Sequence, residues 1–277
     1  MIGLAERYLL GRDVSVGHAG NIRRVAARMF SAGITPDNID GQLVTTWLSS
    51  LRTTLSARSV SSERNLALTL WKYGYDEDLV KNPVRGVQKI KVPRRVTRAF
   101  TRHQCTDAVK QISSSDFGKF RKSGCPKALW LEAWYRTAYE TGIRFTDLYM
   151  LRHDSLVDGG IAIVASKTNG IVIKRITAET QGLLDRLIEM SPDGTVFSWA
   201  VSRRWAFANI KAAFKAIGLD TGRTQWLRRS GATHAEMAQP GSAARYLCHA
   251  TPGLAERHYI DHVQLMGDLP TPPPLGK

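Results

Sequence analysis

The stretch RTAYETGIRFTDLYMLR, residues 136–152, places a glycine at the end of a helical pattern and an arginine two residues beyond it. Glycine at position 142 suits the left-handed conformation that closes a helix. The turn would then present Arg144 from a rigid corner. Asp147 would follow in the next helix, where a carboxylate can hold a basic side chain or cap the turn. Taken alone, an arginine at such a corner is typical of a protein surface.

A second pair of arginines stands in TQWLRRSGATH, residues 224–234. The pattern predicts that Arg228 and Arg229 lie at the start of a helix whose other face is apolar. Guanidinium groups that converge on one phosphate hold its non-bridging oxygens and neutralise the charge that builds in a pentavalent transition state. Lysine cannot make the same bidentate contact. The two arginine stretches together therefore suggest phosphate chemistry.

Two further stretches carry chemistry. GIAIVASKTNGIVIKRI, residues 160–176, contains two β-rich runs separated by a Lys-Thr-Asn-Gly turn, which predicts a hairpin with Lys167 at its tip. YLCHATPGLAERHYIDH, residues 246–262, adds His249 and, ten residues later, Tyr259. Its second half predicts a helix that carries His258 and His262 one turn apart.

The order Arg, Lys, Arg, His, Tyr across these four stretches resembles the tyrosine recombinase or phage integrase family. The motifs that carry the resemblance are TGIRFTDLYMLR, SKTNG, LRRSGATH and LCHATPGLAERHY, within residues 136–259. One such box is weak, whereas four in this order at plausible spacings are specific. The helical first part of the chain and the basic segment after it resemble that family's core-binding domain.

The resemblance implies a nucleophile and a phosphate clamp. Tyr259 would attack the scissile phosphate, which forms a 3′-phosphotyrosyl bond and frees a 5′-hydroxyl. Arg144 and Arg228 would hold that phosphate, and Asp147 would support the site. A phenol with an ordinary pKa of about 10 is a poor nucleophile at neutral pH, so positive charge beside it favours the phenolate. We expect neither a metal nor a cofactor, because the arginines stabilise the charge.

The resemblance also implies two groups that assist proton transfer. Lys167 would be the general acid that protonates the departing 5′-oxygen, and Lys174 on the return strand is the rival candidate. His249 would hydrogen-bond the phosphate or assist proton transfer. A lysine in a hairpin turn is otherwise an ordinary turn residue.

Two positions depart from the family's pattern. Gln225 stands where the family has a histidine, and glutamine can donate a hydrogen bond but cannot exchange a proton at neutral pH. General acid-base help is worth roughly 10²- to 10⁴-fold, so either the position mainly orients the phosphate or turnover is slow. Cys248 stands where glycine is frequent, and we expect it to pack as a small apolar residue. A catalytically weak DNA-binding regulator and a type IB topoisomerase remain alternatives.

Several other residues have plainer interpretations. His234 is expected to be a packed or capping histidine, and Trp71, Trp130 and Trp134 are expected to pack in the core, because they lie on apolar helical stripes. Trp226, beside the second arginine pair, either lines the site or packs.

Composition points to a polyanionic partner. The chain has 277 residues, with 39 Lys and Arg against 24 Asp and Glu, and a formal net charge of +15. This balance favours nucleic acid. An anionic membrane fits less well, because the basic residues are spread along the chain and no apolar run is long enough to span a bilayer. Three scattered cysteines and no signal peptide predict a cytoplasmic protein, and the resemblance implies that it is associated with the nucleoid.

The patterns predict two domains, mainly α-helical with a small β-hairpin, and the resemblance implies that they form a DNA clamp with the following parts. Residues 1–92 form a helical core-binding domain, 93–98 a basic linker, 99–262 the catalytic domain and 263–277 a Pro-rich tail. The expected partner is double-stranded DNA with paired half-sites, bound by a homotetramer. Basic side chains at and before the linker are expected to contact phosphates: Lys89, Lys91, Arg94, Arg95 and Arg98.

Overall fold

A computed structural model describes residues 1–93, 96–165, 170–219, 224–248 and 252–265, without the side chains of Pro252 and Arg257. The chain divides into two compact units, Met1–Arg95 and Val96–Lys277. The fold class predicted from the sequence is confirmed, since the chain is mainly helical with one small antiparallel sheet.

The N-terminal unit is helical. Three of its helices begin at a residue whose side chain accepts a hydrogen bond from the amide three positions on, namely Ser15, Asp40 and Ser56. Such caps satisfy amides that the first turn leaves without a partner. The helices are α1 (Ile2–Leu10), α2 (Val16–Ser31), α3 (Gly41–Leu51) and α4 (Ala57–Asp76).

The core of this unit forms where the apolar faces of these helices meet. Trp71 is fully buried, as predicted, and its indole donates a 2.7 Å hydrogen bond to the carbonyl of Asn82. Glu63 is buried and accepts from both Arg24 and Arg28 of α2. A buried carboxylate needs such cationic partners to offset its desolvation.

The C-terminal unit packs helices around a small sheet. Its first long helix begins with a capping box at Thr101, which satisfies two amides reciprocally. The helices are α5 (Arg102–Ser114), α6 (Lys127–Thr141), α7 (Phe145–Tyr149), a 3-10 helix (His153–Ser155), α8 (Ala178–Glu189), α9 (Arg203–Ala216), α10 (Thr224–Ala238), α11 (Ala243–Leu247) and α12 (Pro252–His258).

The sheet contains the predicted hairpin. Strands β2 (Gly160–Val164) and β3 (Ile171–Arg175) pair antiparallel, with Ile161 opposite Lys174. A short strand that the sequence pattern did not reveal, β1 (Leu156–Val157), pairs with the other edge of β2.

Helix α6 is the centre of the C-terminal core. Trp130 and Trp134 are buried, as predicted, and their rings stack with centroids 5.2 Å apart. Phe197 packs edge-on against both rings. Stacked and edge-on aromatic pairs add stabilisation beyond the area they bury, so α6 offers a rigid base for the corner that follows it.

The helix predicted for residues 253–262 is shorter than expected. Helix α12 ends at His258, and His262 lies beyond it in a turn. The chain leaves the helix because the amide of Asp261 donates to Thr233 Oγ1 at 3.0 Å, while its buried carboxylate accepts from the amide of Ala99 at 2.9 Å. The prediction that His258 and His262 share one helix is therefore wrong.

Candidate active site

The site is built first on the corner after α6. Gly142 ends that helix in the left-handed conformation, with φ 60° and ψ 19°, as predicted. Arg144 follows in an extended conformation at the N-cap position of α7, and its side chain is half-buried. The corner thus fixes the backbone from which Arg144 projects.

Two glycines allow helices α6 and α10 to approach around one tyrosine. A Cβ at Gly142 would lie 2.7 Å from the ring of Tyr246. A Cβ at Gly231 of α10 would lie 2.5 Å from the carbonyl of Tyr139. The hydroxyl of Tyr246 donates to that same carbonyl, and its burial raises the Tyr246 pKa. Tyr246 fills the space beside Gly142 and Gly231, so a larger residue at either position would collide with it.

Arg228 joins the second arginine stretch to this corner. Its guanidinium is buried and donates to the carbonyl of Gly142 and, at 3.3 Å, to the carbonyl of Leu247. A charged group with 6% exposure requires such partners. The first contact spans 86 positions of sequence, and it ties α10 to the end of α6.

Tyr259 lies next to this guanidinium. Cζ of Arg228 stands 5.0 Å from the centroid of the Tyr259 ring. Tyr259 directly follows α12, is half-buried, and accepts a 3.4 Å hydrogen bond from Thr233 of α10 at its backbone carbonyl. Helix α10 thus contacts both sides of the tyrosine, through Arg228 at the ring and Thr233 at the backbone.

The charges of Tyr259 and Arg144 both act on the buried guanidinium of Arg228. Burial lowers the pKa of Arg228, the nearby phenol of Tyr259 raises it, and the charge of Arg144 lowers it again. Arg144, Arg228 and Tyr259 therefore belong to one electrostatic cluster, although they come from three separate segments. The Arg228 guanidinium, which stands beside the Tyr259 ring and is reached by the charge of Arg144, can bind an anion and stabilise charge that develops on it.

Lys174 also reaches this region. It is buried on β3, and its ammonium donates to the carbonyls of Tyr246 and, at 3.4 Å, Arg245. Burial lowers the pKa of Lys174, the thiol of Cys248 raises it, and the charge of Arg228 lowers it. Sequence reasoning named Lys174 only as a rival to Lys167.

This chain matches solved structures over more than nine-tenths of its length. A lambda integrase dimer bound to a COC′ core site has a TM-score of 0.75 at 18% identity, covering 94% of this chain and 95% of that one. A XerH site-specific recombinase in a post-cleavage complex with a palindromic difH substrate has a TM-score of 0.73 at 13% identity, with 92% and 80% covered. This chain has the fold of a tyrosine recombinase.

A further match to this recombinase fold is a lambda integrase tetramer bound to a Holliday junction. Its TM-score is 0.73 at 19% identity, with 93% of this chain and 75% of that chain covered. The sequence matches no protein-family model and no curated protein.

The remaining predicted site residues differ in burial and in whether the structure describes them. Asp147 is buried in α7, and Gln225 is exposed in the first turn of α10. Three predicted DNA-contacting residues are exposed: Lys89, Lys91 and Arg98. Four predicted residues lie outside the described part of the chain: Lys167, His249, Arg94 and Arg95.

Cys248 corrects one expectation. It is exposed rather than packed, and it ends α11 in the left-handed conformation with φ 50° and ψ 48°. Glycine adopts this conformation without a steric penalty, which explains physically why glycine suits the position. Among the described residues, Asp78 is the other non-glycine with positive φ.

His234 is a packed histidine, as expected. Its Nδ1 is hydrogen-bonded to the hydroxyl of Tyr139 at 2.9 Å, and burial lowers its pKa. Trp226 packs against Phe100, with ring centroids 5.0 Å apart. Both residues support α10 from the core.

Two features are absent from the part of the chain that the structure describes. They contain no group of three or more His, Cys, Asp or Glu side chains placed to hold a metal ion. None of their helices combines the length and apolar character that crossing a membrane requires.

Proposed function

We propose that this protein cleaves and rejoins DNA at specific sites, with Tyr259 as the nucleophile. The observation that carries the proposal is the buried guanidinium of Arg228, held at the Gly142 carbonyl and 5.0 Å from the Tyr259 ring centroid. The tyrosine oxygen attacks the DNA phosphorus, a 3′-phosphotyrosyl bond forms, and the 5′-oxygen leaves with a proton. The reverse attack by a 5′-hydroxyl rejoins the strand.

Arg144 and Arg228 have the role of a phosphate clamp in this proposal. Each guanidinium offers N–H groups in a planar fork that matches phosphate oxygens. Positive charge already in place before the reaction stabilises the transition state without reorganisation. Asp147, buried three residues after Arg144, supports the turn that carries the first of these arginines.

Three further residues donate the proton or hydrogen-bond the phosphate in this proposal. We assign Lys167 as the general acid for the 5′-oxygen and His249 as a hydrogen-bond donor to the phosphate, following the resemblance of their motifs. Gln225, exposed at the start of α10, orients the phosphate. Because glutamine exchanges no proton at neutral pH, we expect slower cleavage than a histidine at position 225 would give.

The substrate is double-stranded DNA with paired half-sites. We assign Met1–Arg95 as the core-binding unit and the other unit as the catalytic one, with Lys89, Lys91, Arg94, Arg95 and Arg98 at phosphates. The lambda integrase and XerH structures are DNA complexes, one of them a tetramer on a Holliday junction. Their likeness supports assembly of four copies on DNA, and we place the reaction in the cytoplasm, on the nucleoid.

Covalent selection tests the nucleophile. The protein is incubated with a labelled pool of duplexes that carry randomised flanks around a nick, so that the short 5′-hydroxyl fragment diffuses away after cleavage. We expect an adduct that survives SDS, and its DNA identifies the site. Tyr259→Phe should form no adduct, because phenylalanine lacks the attacking oxygen. Tyr75→Phe, at an exposed tyrosine of α4, is the matched control and should react normally.

The same experiment separates the alternatives. An adduct with Tyr259→Phe would assign the nucleophile to another residue. Binding of DNA without any adduct would make the protein a regulator on a recombinase fold, with Gln225 in place of a proton-exchanging histidine as the physical reason. Relaxation of any supercoiled plasmid, without paired half-sites, would identify a topoisomerase.

A further inference from the structure

Strand β3 has an inverted burial pattern. Ile171 and Ile173 are exposed, at 78% and 68%, whereas Lys174 is 9% exposed. Lys174 pairs with Ile161, which is fully buried. Directly paired residues on adjacent strands share a face, so the lysine occupies the core-facing side. Its aliphatic stem can lie along apolar surface while the ammonium reaches a polar group.

That polar group is the end of α11. The Lys174 ammonium donates to the carbonyls of Tyr246 and Arg245 in the last turn of the helix. The Arg245 carbonyl also accepts from the amide of Cys248 at 3.1 Å, and carbonyls at the end of a helix carry partial negative charge that favours a cation. A buried ammonium at this position therefore acts as a C-terminal cap that comes from a different element.

Arg228 holds the next carbonyl of the same helix end, that of Leu247, at 3.3 Å. Three consecutive carbonyls, from residues 245 to 247, therefore accept from two buried cations of β3 and α10. Like charges in a buried place repel, and the Arg228 charge does act against that of Lys174. The negative end of α11 lies between the two cations and offsets their repulsion.

We propose that Lys174 is a positioning residue for DNA cleavage: it anchors the end of α11, and through it the guanidinium of Arg228 and the backbone at Cys248, the residue before His249. This inference rests on the proposed function for its catalytic part only. The anchoring itself is a property of the free protein. Lys174 would thus position the site, whereas Lys167 would donate the proton.

Hydrogen exchange of the full chain without DNA tests the anchoring. In Lys174→Met the amides of residues 246–248 should exchange about tenfold faster, because the helix end loses its cap while the apolar stem is kept. Lys174→Arg restores two donors and should bring exchange back to within about threefold of the wild type. Arg175→Met, at the next and exposed position of β3, is the matched control and should not change α11.

Exchange in α6 shows whether each variant is folded. If Lys174→Met fails to fold, Lys174→Gln takes its place with the same expected loosening of α11, because its side chain is uncharged and too short to reach the carbonyls. Unchanged exchange at residues 246–248 in a folded variant without the ammonium would overturn the inference.

Cleavage of the selected duplex tests the consequence for catalysis. Lys174→Met should bind the duplex within about twofold of the wild type yet form the adduct about ten- to a hundredfold more slowly, as expected for a displaced phosphate pocket. Lys174→Arg should recover most of the rate. A variant that loses DNA affinity but keeps its adduct rate would contradict a positioning role.

A duplex with sulfur in place of the bridging 5′-oxygen distinguishes positioning from acid catalysis. A thiolate leaves without a proton far more readily than an alkoxide, so this substrate should rescue Lys167→Ala and leave Lys174→Met slow. Full rescue of Lys174→Met would make Lys174 the general acid and overturn the inference. If the wild type forms no adduct at all, the proposed function fails, while the exchange result still decides whether Lys174 anchors α11.

Discussion

At the scale of single residues, Cys248 shows how tertiary contacts near the site impose a disfavoured backbone conformation. Its φ of 50° lies in the left-handed region, where an L-residue is disfavoured by roughly 1–2 kcal/mol. The conformation directs the chain out of α11 at the point where Lys174 and Arg228 hold the preceding carbonyls. The backbone there is set by tertiary contacts rather than by the preference of cysteine.

Cys248→Gly should raise the free energy of unfolding by up to about 1 kcal/mol, because relief of strain exceeds the extra entropy of glycine in the unfolded chain. Urea denaturation followed by circular dichroism measures the change. Cys248→Ala removes the thiol but keeps the strain, so it should bring no gain. Equal stability of the two variants would show that φ at this position is not strained.

At the scale of elements, α10 organises the C-terminal unit. It carries Arg228 and packs against α6 across Gly231. Two of its hydroxyl groups also accept hydrogen bonds from backbone amides. Ser230 accepts from the amide of Phe100 at 2.9 Å, and Thr233 accepts from the amide of Asp261. One helix therefore orders the start of the unit, the corner at Gly142 and the chain after Tyr259.

Gly231→Ala should lower the free energy of unfolding by about 1–3 kcal/mol or more, because the new methyl group meets the Tyr139 carbonyl and the Tyr246 ring. Gly182→Ala is the matched control in a second helix, α8. It has no atom within 4 Å of the added Cβ and should gain about 0.5–1 kcal/mol. Thermal denaturation of both variants measures the two changes. A tolerated Gly231→Ala would mean that α6 and α10 are less closely packed than described.

For the whole molecule, charge is the dominant feature. A formal net charge of +15 on 277 residues attracts any duplex, whatever its sequence. Site preference must then come from side chains that read base edges or DNA shape, in addition to phosphate contacts.

Binding of a duplex should weaken by at least about 10³-fold between about 50 and 200 mM salt, because the counterions released on binding gain less entropy in more concentrated salt. Fluorescence anisotropy measures the dissociation constants. Replacing Lys89 and Lys91 together by Gln should reduce the salt slope by about two.

Lys72→Gln is the control for that slope, because this lysine of α4 already pairs with Asp76 at 2.9 Å. Its slope should match the wild type. An affinity that stays flat over this salt range would exclude phosphate contacts as the main source of binding.

The amino-acid sequence by itself determined the local features of this protein. Gly142 closes α6 because glycine tolerates positive φ, and Thr101 and Ser56 begin helices because their side chains accept from nearby amides. The two β-rich runs of sequence form the paired strands β2 and β3. These signals depend on residues a few positions apart, so they can be read along the chain. The order of the motifs also revealed the recombinase fold.

Only the tertiary structure decided how the distant segments meet. Tyr246, which requires glycine at both 142 and 231, carries no local signal of that role. The only local sign that Lys174 is buried was its position within an apolar strand. The end of α12 before Tyr259 depends on the distant contact between Thr233 and Asp261. Such contacts arise from which faces of α6, α10 and β3 pack together. Packing of that kind is a property of the assembled core and not of any one segment.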